Sequence, residues 1–411
     1  TVTAPADIDT AFSDFMPTFG LNMRQFDMMM KIYKILSQKY DVVCTNPPYM
    51  GGSGMNAKLS EFVKSKFPDY KSDLFSTFVI RCTQLCKAEG YLGFLTPYVW
   101  MFIQSYEKMR NYIYSTRTIE TLIQFEYSAF EEATVPICTF ALKNSKVNKK
   151  GVYLRLTDFR GGMEVQRQKT LEAIADHKCG YYFETNSANF SKIPGSPVAY
   201  WVSENFIRAF ERGISIDSIS DFTGSQHITA NNDKYLRLHW EIDANKVGMG
   251  KKWVYYAKGG DFRKWYGNIE LVVDWSEGAV QYYKTNSTSN LLAEKYRFKE
   301  GITYTELTSS VNTFRYLPPV CIFDKKGPSI VSVKKLWYCL GIFGTKIAPL
   351  YFAILNPTLS TQVRDVKNLP IIVNGEIEPK IDEIVKENVE ICKQDWNDFE
   401  TSWGFEKHPL I

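Results

Sequence analysis

At 411 residues, 45% of them hydrophobic and 23% charged, the chain has the bulk of an ordinary globular protein with two or three domains, each able to bury its own core. A net charge of +4 is too mild to mark nucleic acid as a partner, while a 15% aromatic share suits either cores or stacking on bases. The eight cysteines and four histidines fall into no metal-ligand spacing, so no metal is expected, and thiols in apolar contexts fit a reducing cytoplasm. The longest apolar stretch, 338–355, is broken by Lys346, glycines and a proline, and reads as buried core rather than a membrane span.

In chain order, residues 24–38 have the periodicity of an amphipathic helix and 41–45 form a short apolar strand. That strand stops at Asn46-Pro47-Pro48-Tyr49, where two prolines forbid further ladder pairing, and the glycine-rich loop 51–54 follows. Helices are expected at 74–87 and 105–114, and strands at 91–96, 119–125 and 136–142. The alternation argues for an α/β sheet, but a partial one. No glycine-rich strand-to-helix turn that grips a nucleotide cofactor precedes Asn46. Residues 159–210 look like an irregular connector. From 211 to 373 come short strands rich in Tyr and Trp, and 374–411 carry a packing helix at 381–395. On that helix Ile381, Ile384, Val385, Val389 and Ile391-Cys392 share one face.

Asn46 to Tyr49 sit at the carboxyl end of a strand, the edge where open α/β sheets bind ligands. The Asn46 side-chain oxygen and the Pro47 carbonyl can each accept a hydrogen bond from an exocyclic amine. Both together draw the nitrogen toward tetrahedral geometry and free its lone pair for a methyl donor. Tyr49 then supplies a ring for the extruded base. The alternative for these four residues alone is a strand-ending turn with a packing tyrosine.

Asn46–Tyr49 resembles motif IV of the amino-group DNA methyltransferases. Lys71–Phe75 (KSDLF), Glu89–Pro97 (EGYLGFLTP) and Phe130 with 136–142 resemble motifs V, VI and VIII in the same order. Closer still is the resemblance to the PglX family of bacteriophage-exclusion (BREX) systems. It is carried by Asn46–Asn56 (NPPYMGGSGMN), Lys258–Asn268 (KGGDFRKWYGN), Gly301–Ser309 (GITYTELTS), Phe323–Gly327 (FDKKG), Leu355–Leu359 (LNPTL) and Asp395–Trp403 (DWNDFETSW).

This resemblance implies a partial Rossmann-like methyltransferase sheet (1–158), a connector (159–210), an α+β target-recognition domain (211–373) and a helical end (374–411). It implies adenine-N6 methylation with S-adenosyl-L-methionine, Asn46 and Pro48 bordering the cofactor's methionine end, and Phe130 sandwiching the flipped adenine against Tyr49. Double-stranded DNA and other phage-defence proteins are the implied partners. Two alternatives remain: the methylase-specificity half of a fused type II restriction-modification enzyme, or a silent DNA-recognition fragment. The cofactor-gripping motif of the family is absent, so a longer enzyme is expected. Thr229-Ala230 replaces the usual Thr-Gly, and alanine disfavours a positive φ, so a changed turn is expected there.

Between 246 and 267, Lys246, Lys251, Lys252, Lys258, Arg263 and Lys264 face one acid, Asp261, a local charge of +5, with Trp253, Tyr255, Tyr256, Trp265 and Tyr266 interleaved. Lys251, Lys252, Lys258 and Lys264 are candidate phosphate contacts. Arg263 is a candidate bidentate reader of guanine, and Asn268 of adenine. A solvated turn with core aromatics is the alternative. His227 and His239 are expected to have ordinary hydrogen-bonded roles, and Asp324–Gly327 to form a charged turn.

Overall fold

The computed structural model describes residues 23–127, 135–222, 226–308, 311–356 and 360–411. The chain divides into two compact units, 1–191 and 192–411.

The first unit is a six-stranded mixed sheet with helices α1 (Met23–Ser37), α2 (Ala57–Lys66), α3 (Leu74–Leu85), α4 (Glu107–Thr116) and α5 (Gly162–Ala175). Its strands are β1 (Tyr40–Thr45), β2 (Cys86–Pro97), β3 (Thr118–Gln124), β4 (Ile137–Lys143), β5 (Gly151–Arg155) and β6 (Tyr182–Thr185), in the order β1-β2-β4-β3-β5-β6. Strands β1 and β2 run parallel, and β4 inserts antiparallel between β2 and β3. Leu92, Phe94, Leu122, Phe140 and Leu142 fill the sheet's buried positions against Val79, Ile80, Met109 and Ile113 from α3 and α4. Burial of such side chains contributes roughly 1.5–3 kcal/mol each.

Side-chain caps fix where two helices start. Asn56 Oδ1 accepts from the Leu59 N–H (2.9 Å), and Asp73 Oδ1 from the Phe75 N–H (3.1 Å). The stretch read as a connector is structured: it holds α5, β6 paired to β5, and α6 (Glu204–Arg212). Helix α5 escapes a periodicity search because only Gln166 and Ala173 are buried along its 14 residues.

The second unit contains two four-stranded sheets. After β7 (Ile214–Ser215) and β8 (Asp221–Phe222) come helix α7 (Asn232–Tyr235), β9 (Leu236–Leu238), β10 (Trp253–Ala257), β11 (Leu271–Asp274) and helix α8 (Glu277–Thr285). Then follow β12 (Gly301–Tyr304), β13 (Phe314–Leu317), β14 (Cys321–Phe323) and β15 (Ser329–Val331). The sheets are ordered β14-β10-β11-β9 and β13-β12-β15-β8. The apolar stretch after residue 335 folds as α9 (Leu336–Gly344) and α10 (Ala348–Leu355), set 79° apart. Among the described residues no single helix is long and apolar enough to cross a membrane. After α11 (Val363–Lys367) and β16 (Pro370–Ile371), α12 (Glu378–Asn397) packs on α9 through Val385, Val389 and Trp396. Its apolar face is narrower than the sequence pattern: Ile384 and Ile391 stay exposed, while Val385, Val389 and Trp396, flanked by the partly buried Ile381 and Cys392, meet the core.

Candidate functional site

Strand β1 delivers Asn46 to Tyr49 to the carboxyl edge of the first sheet. Pro47 is buried, which anchors the turn, while Asn46, Pro48 and Tyr49 are exposed. The Tyr49 hydroxyl donates to Asn46 Oδ1 at 2.8 Å and lies 3.2 Å from the Leu95 carbonyl oxygen. The Phe75 ring meets Tyr49 edge-on, with centroids 6.4 Å apart at 87°. Partial burial, with a smaller contribution from Cys138, raises the Tyr49 pKa, so the phenol is neutral and acts as a donor.

The loop after the motif is clamped by a residue the sequence reading did not single out. Asp73 Oδ1 accepts from the Met50 N–H (2.9 Å) as well as from Phe75, and the Leu74 N–H donates to the Met50 carbonyl (3.0 Å). One carboxylate thus ties the motif's exit to the start of α3. An Asp immediately before an apolar helical run was the available signal. Phe130 lies outside the described residues.

The basic segment of the second unit is split. Lys251 and Lys252 precede β10, whereas Lys258, Arg263 and Lys264 follow it. Five strand residues at about 3.3 Å each hold the two groups roughly 17 Å apart. All these lysines reach the surface at least in part; Lys252 Nζ lies 3.9 Å from Asp274 and Lys264 Nζ 3.4 Å from the Gly344 carbonyl. The two candidate base readers are committed elsewhere. Arg263 donates to Asp395 on α12 (2.9 Å) and its guanidinium lies over the Trp396 ring, 4.6 Å from the centroid. Asn268, at φ 60°, donates its amide to the Asp261 carbonyl (2.7 Å). Both shape the loop in this structure rather than project from it.

Trp265, between them, packs on α9 at Gly344, where a Cβ would stand 2.3 Å from the ring. Beneath the loop lies Arg315, 1% exposed, with no carboxylate within ion-pair distance among the described residues. Burial pulls its pKa down to about 10, which leaves it a cation at neutral pH.

Four weaker expectations are also decided. His227 is fully buried among Tyr256, Trp275 and Tyr283. Its Nδ1 accepts from the Leu292 N–H at 3.5 Å, and Nε2 has no partner among the described residues. Burial, reinforced by Arg297, pulls its pKa down to about 3. His239 Nε2 bonds the Thr401 carbonyl oxygen at 3.0 Å. Asp324 is more than a turn residue: buried, it accepts from the Tyr256 hydroxyl (2.6 Å) and the Lys326 N–H (2.6 Å). Ala230 does adopt a positive φ, 58°, contrary to expectation, so the left-handed turn survives without its glycine. Among the described residues no group of three or more His, Cys, Asp or Glu side chains forms a metal cluster.

The fold agrees with what the chain is similar to. Residues 7–130 match the family model of the Eco57I restriction-modification methylase. Over nearly its whole length the chain is homologous to two adenine-specific methyltransferases. One is BrxX of Escherichia coli O9:H4 (strain HS), 33% identical over 391 residues, or 92% of this chain and 31% of that protein. The other is PglX of Lacticaseibacillus casei (strain Zhang), 31% identical over 406 residues, or 93% of this chain and 33% of that protein. The chain therefore spans about a third of the length of these relatives. Among solved structures, the type IIL restriction-modification enzyme MmeI, determined in complex with DNA, aligns over 90% of this chain and 52% of its own, with a TM-score of 0.53 at 10% identity. That likeness establishes a shared fold.

Proposed function

We propose that this chain is the adenine-holding and DNA-reading part of a site-specific DNA adenine-N6 methyltransferase that marks host DNA in a phage-defence system. The observation that carries the reading is the Asn46–Tyr49 turn, exposed at the carboxyl end of β1 with its acceptor oxygen oriented by Tyr49. Homology to PglX and BrxX over most of the chain supports the adenine specificity, and the DNA-complexed relative of shared fold supports DNA as partner.

In this reading the two amino hydrogens of a flipped adenine are accepted by Asn46 Oδ1 and the Pro47 carbonyl, which localises the nitrogen lone pair. Tyr49 packs its ring on the base, held in place by Phe75, and its neutral hydroxyl keeps the Asn46 amide from rotating. S-adenosyl-L-methionine, when bound, supplies an electrophilic methyl group. The residues present fit one wall of its site: Asn46 and Pro48 are exposed where the methionine end would lie. No glycine-rich strand-to-helix turn precedes Asn46 among the described residues, so the 411-residue chain alone should bind the cofactor weakly in calorimetric titration. Other phage-defence proteins as partners, and a cytoplasmic location where eight free thiols persist, complete the proposal.

The test is product analysis on duplex DNA treated with the longer enzyme containing this chain. N6-methyladenine at one recurring sequence is expected; methylated cytosine, or no methylated base, refutes the reading.

A further inference from the structure

Arg315 is a buried charge with no ion-pair partner among the described residues. Its Nη1 lies 3.4 Å from the Arg263 carbonyl and 3.4 Å from Thr313 Oγ1, and Nη2 lies 3.3 Å from Thr305 Oγ1. Its Nε has no partner among the described residues. Three long contacts to neutral oxygens are poor compensation for a guanidinium that is 1% exposed. Two of the three lead into the loop 258–264: Arg263 belongs to it, and the Thr305 hydroxyl donates to the Gly260 carbonyl at 3.0 Å. The loop therefore rests on a positive charge that lacks a counter-ion among the described residues.

The loop's upper side is equally unfinished. Gly260, Asp261, Phe262, Arg263 and Lys264 show no backbone N–H partner among the described residues, and Gly260 runs at φ 122°, which a side chain would disfavour. Phe262 stands 58% exposed at the tip, between two glycines and two cations. At that exposure, packing within the described residues of the unit does not account for the ring. Arg263, Asn268 and Trp265, by contrast, are pinned to Asp395, the Asp261 carbonyl and Gly344, and so keep the loop rigid.

We propose that the loop 258–264 grips a DNA phosphate on its unpaired amides, with Lys258, Lys264 and the underlying Arg315 supplying the charge and Phe262 stacking on an adjacent base. The inference rests on the DNA reading above and deepens it. It moves the contact from the Arg263 and Asn268 side chains to the backbone, to Phe262 and to Arg315. Exposed backbone amides beside a buried cation favour an anion, because the amides need not be freed from another protein bond. The Asp261 carboxylate, exposed on the same loop, opposes the anion and limits the affinity.

The experiment measures binding of the full 411-residue chain to duplex DNA across a range of salt concentrations, with thermal melting to confirm folding. Phe262→Ala, a surface change, should weaken binding about tenfold with an unchanged salt slope. Arg315→Met should lower the slope by about one unit, and Arg315→Lys should keep it. If wild type does not bind DNA, the DNA reading fails and this inference with it. If wild type binds and Phe262→Ala binds equally well, this inference alone is overturned. Equal loss in Arg315→Met and Arg315→Lys with the slope unchanged makes Arg315 a packing residue, and the phosphate site is refuted; should Arg315→Met fail to fold, the Arg315→Lys slope and Phe262→Ala decide.

Discussion

The turn 46–49 and the loop 258–268 are both short, both follow a strand, and both carry candidate contacts in their sequence. They differ in what finished them. In the turn, local covalent constraint does most of the work: Pro47 and Pro48 end the ladder, and Tyr49 bonds Asn46 only three residues away. In the loop, Asn268 is held locally by the Asp261 carbonyl, but Arg263 is claimed by residues more than a hundred positions distant, Asp395 and Trp396. Sequence alone anticipates the geometry where the partners are local. It does not where a remote element competes for the same side chain.

The strongest way to break this contrast is Asn46→Ala in the longer enzyme. Loss of one preorganised acceptor should lower the methylation rate about a hundredfold or more, with duplex binding retained. A rate equal to wild type would mean that the turn is only a turn.

Acid should then separate the two units. His227 is neutral in the fold, with its pKa pulled from the ordinary 6.5 down to about 3. Its contribution is complete above about pH 6.5. As pH falls from there toward 3 the unfolded chain takes up a proton that the folded unit refuses. Stability of the second unit should therefore drop by up to about 1.4 kcal/mol per pH unit. Denaturant titrations at pH 7 and 5 check this, and His227→Leu should flatten the dependence; a slope unaltered in that variant would assign the effect to other groups.

A smaller effect bears on the loop itself. Arg263→Ala removes an ion pair and a ring contact and should cost roughly 1 kcal/mol of stability. DNA affinity should fall to the same degree on methylated-site and random duplexes, since Arg263 shapes the loop. A loss confined to the recognised sequence would show that Arg263 leaves Asp395 to read a base, and the contrast with the turn would dissolve.

Tyr49→Phe keeps the stacking ring but frees the Asn46 amide, so a several-fold fall in kcat is expected, against a larger fall for Tyr49→Ala. Full activity in Tyr49→Phe would leave the hydroxyl without a role. The smallest effect is Ala230→Gly, which should raise stability by about 0.5–1 kcal/mol by relieving φ 58°. A lower melting temperature in that variant would contradict the strain.

The sequence by itself determined the first helix, the strand leading into Asn46, the proline-ended turn, and most of the sheet elements up to residue 143, because periodicity, prolines and strand-ending signals act within a few residues. It also placed the helix at 378–397 to within a few residues. Tertiary structure alone decided the rest. Helix α5 and the pair α9–α10 were invisible to periodicity, one with its apolar residues scattered around the helix and the other apolar nearly all round. Asp73 became the clamp of the motif loop only once α3 lay beside Met50. Ile384 and Ile391 stayed outside because the core of the second unit is narrower than their helix's apolar arc. Arg263, a candidate reader, is held by a carboxylate 132 residues away, and Arg315, with no motif to mark it, has no ion-pair partner beneath the loop among the described residues. Local propensity acts on each residue in isolation, whereas the partner that captures a charged side chain is chosen by packing, and packing is a property of the whole unit.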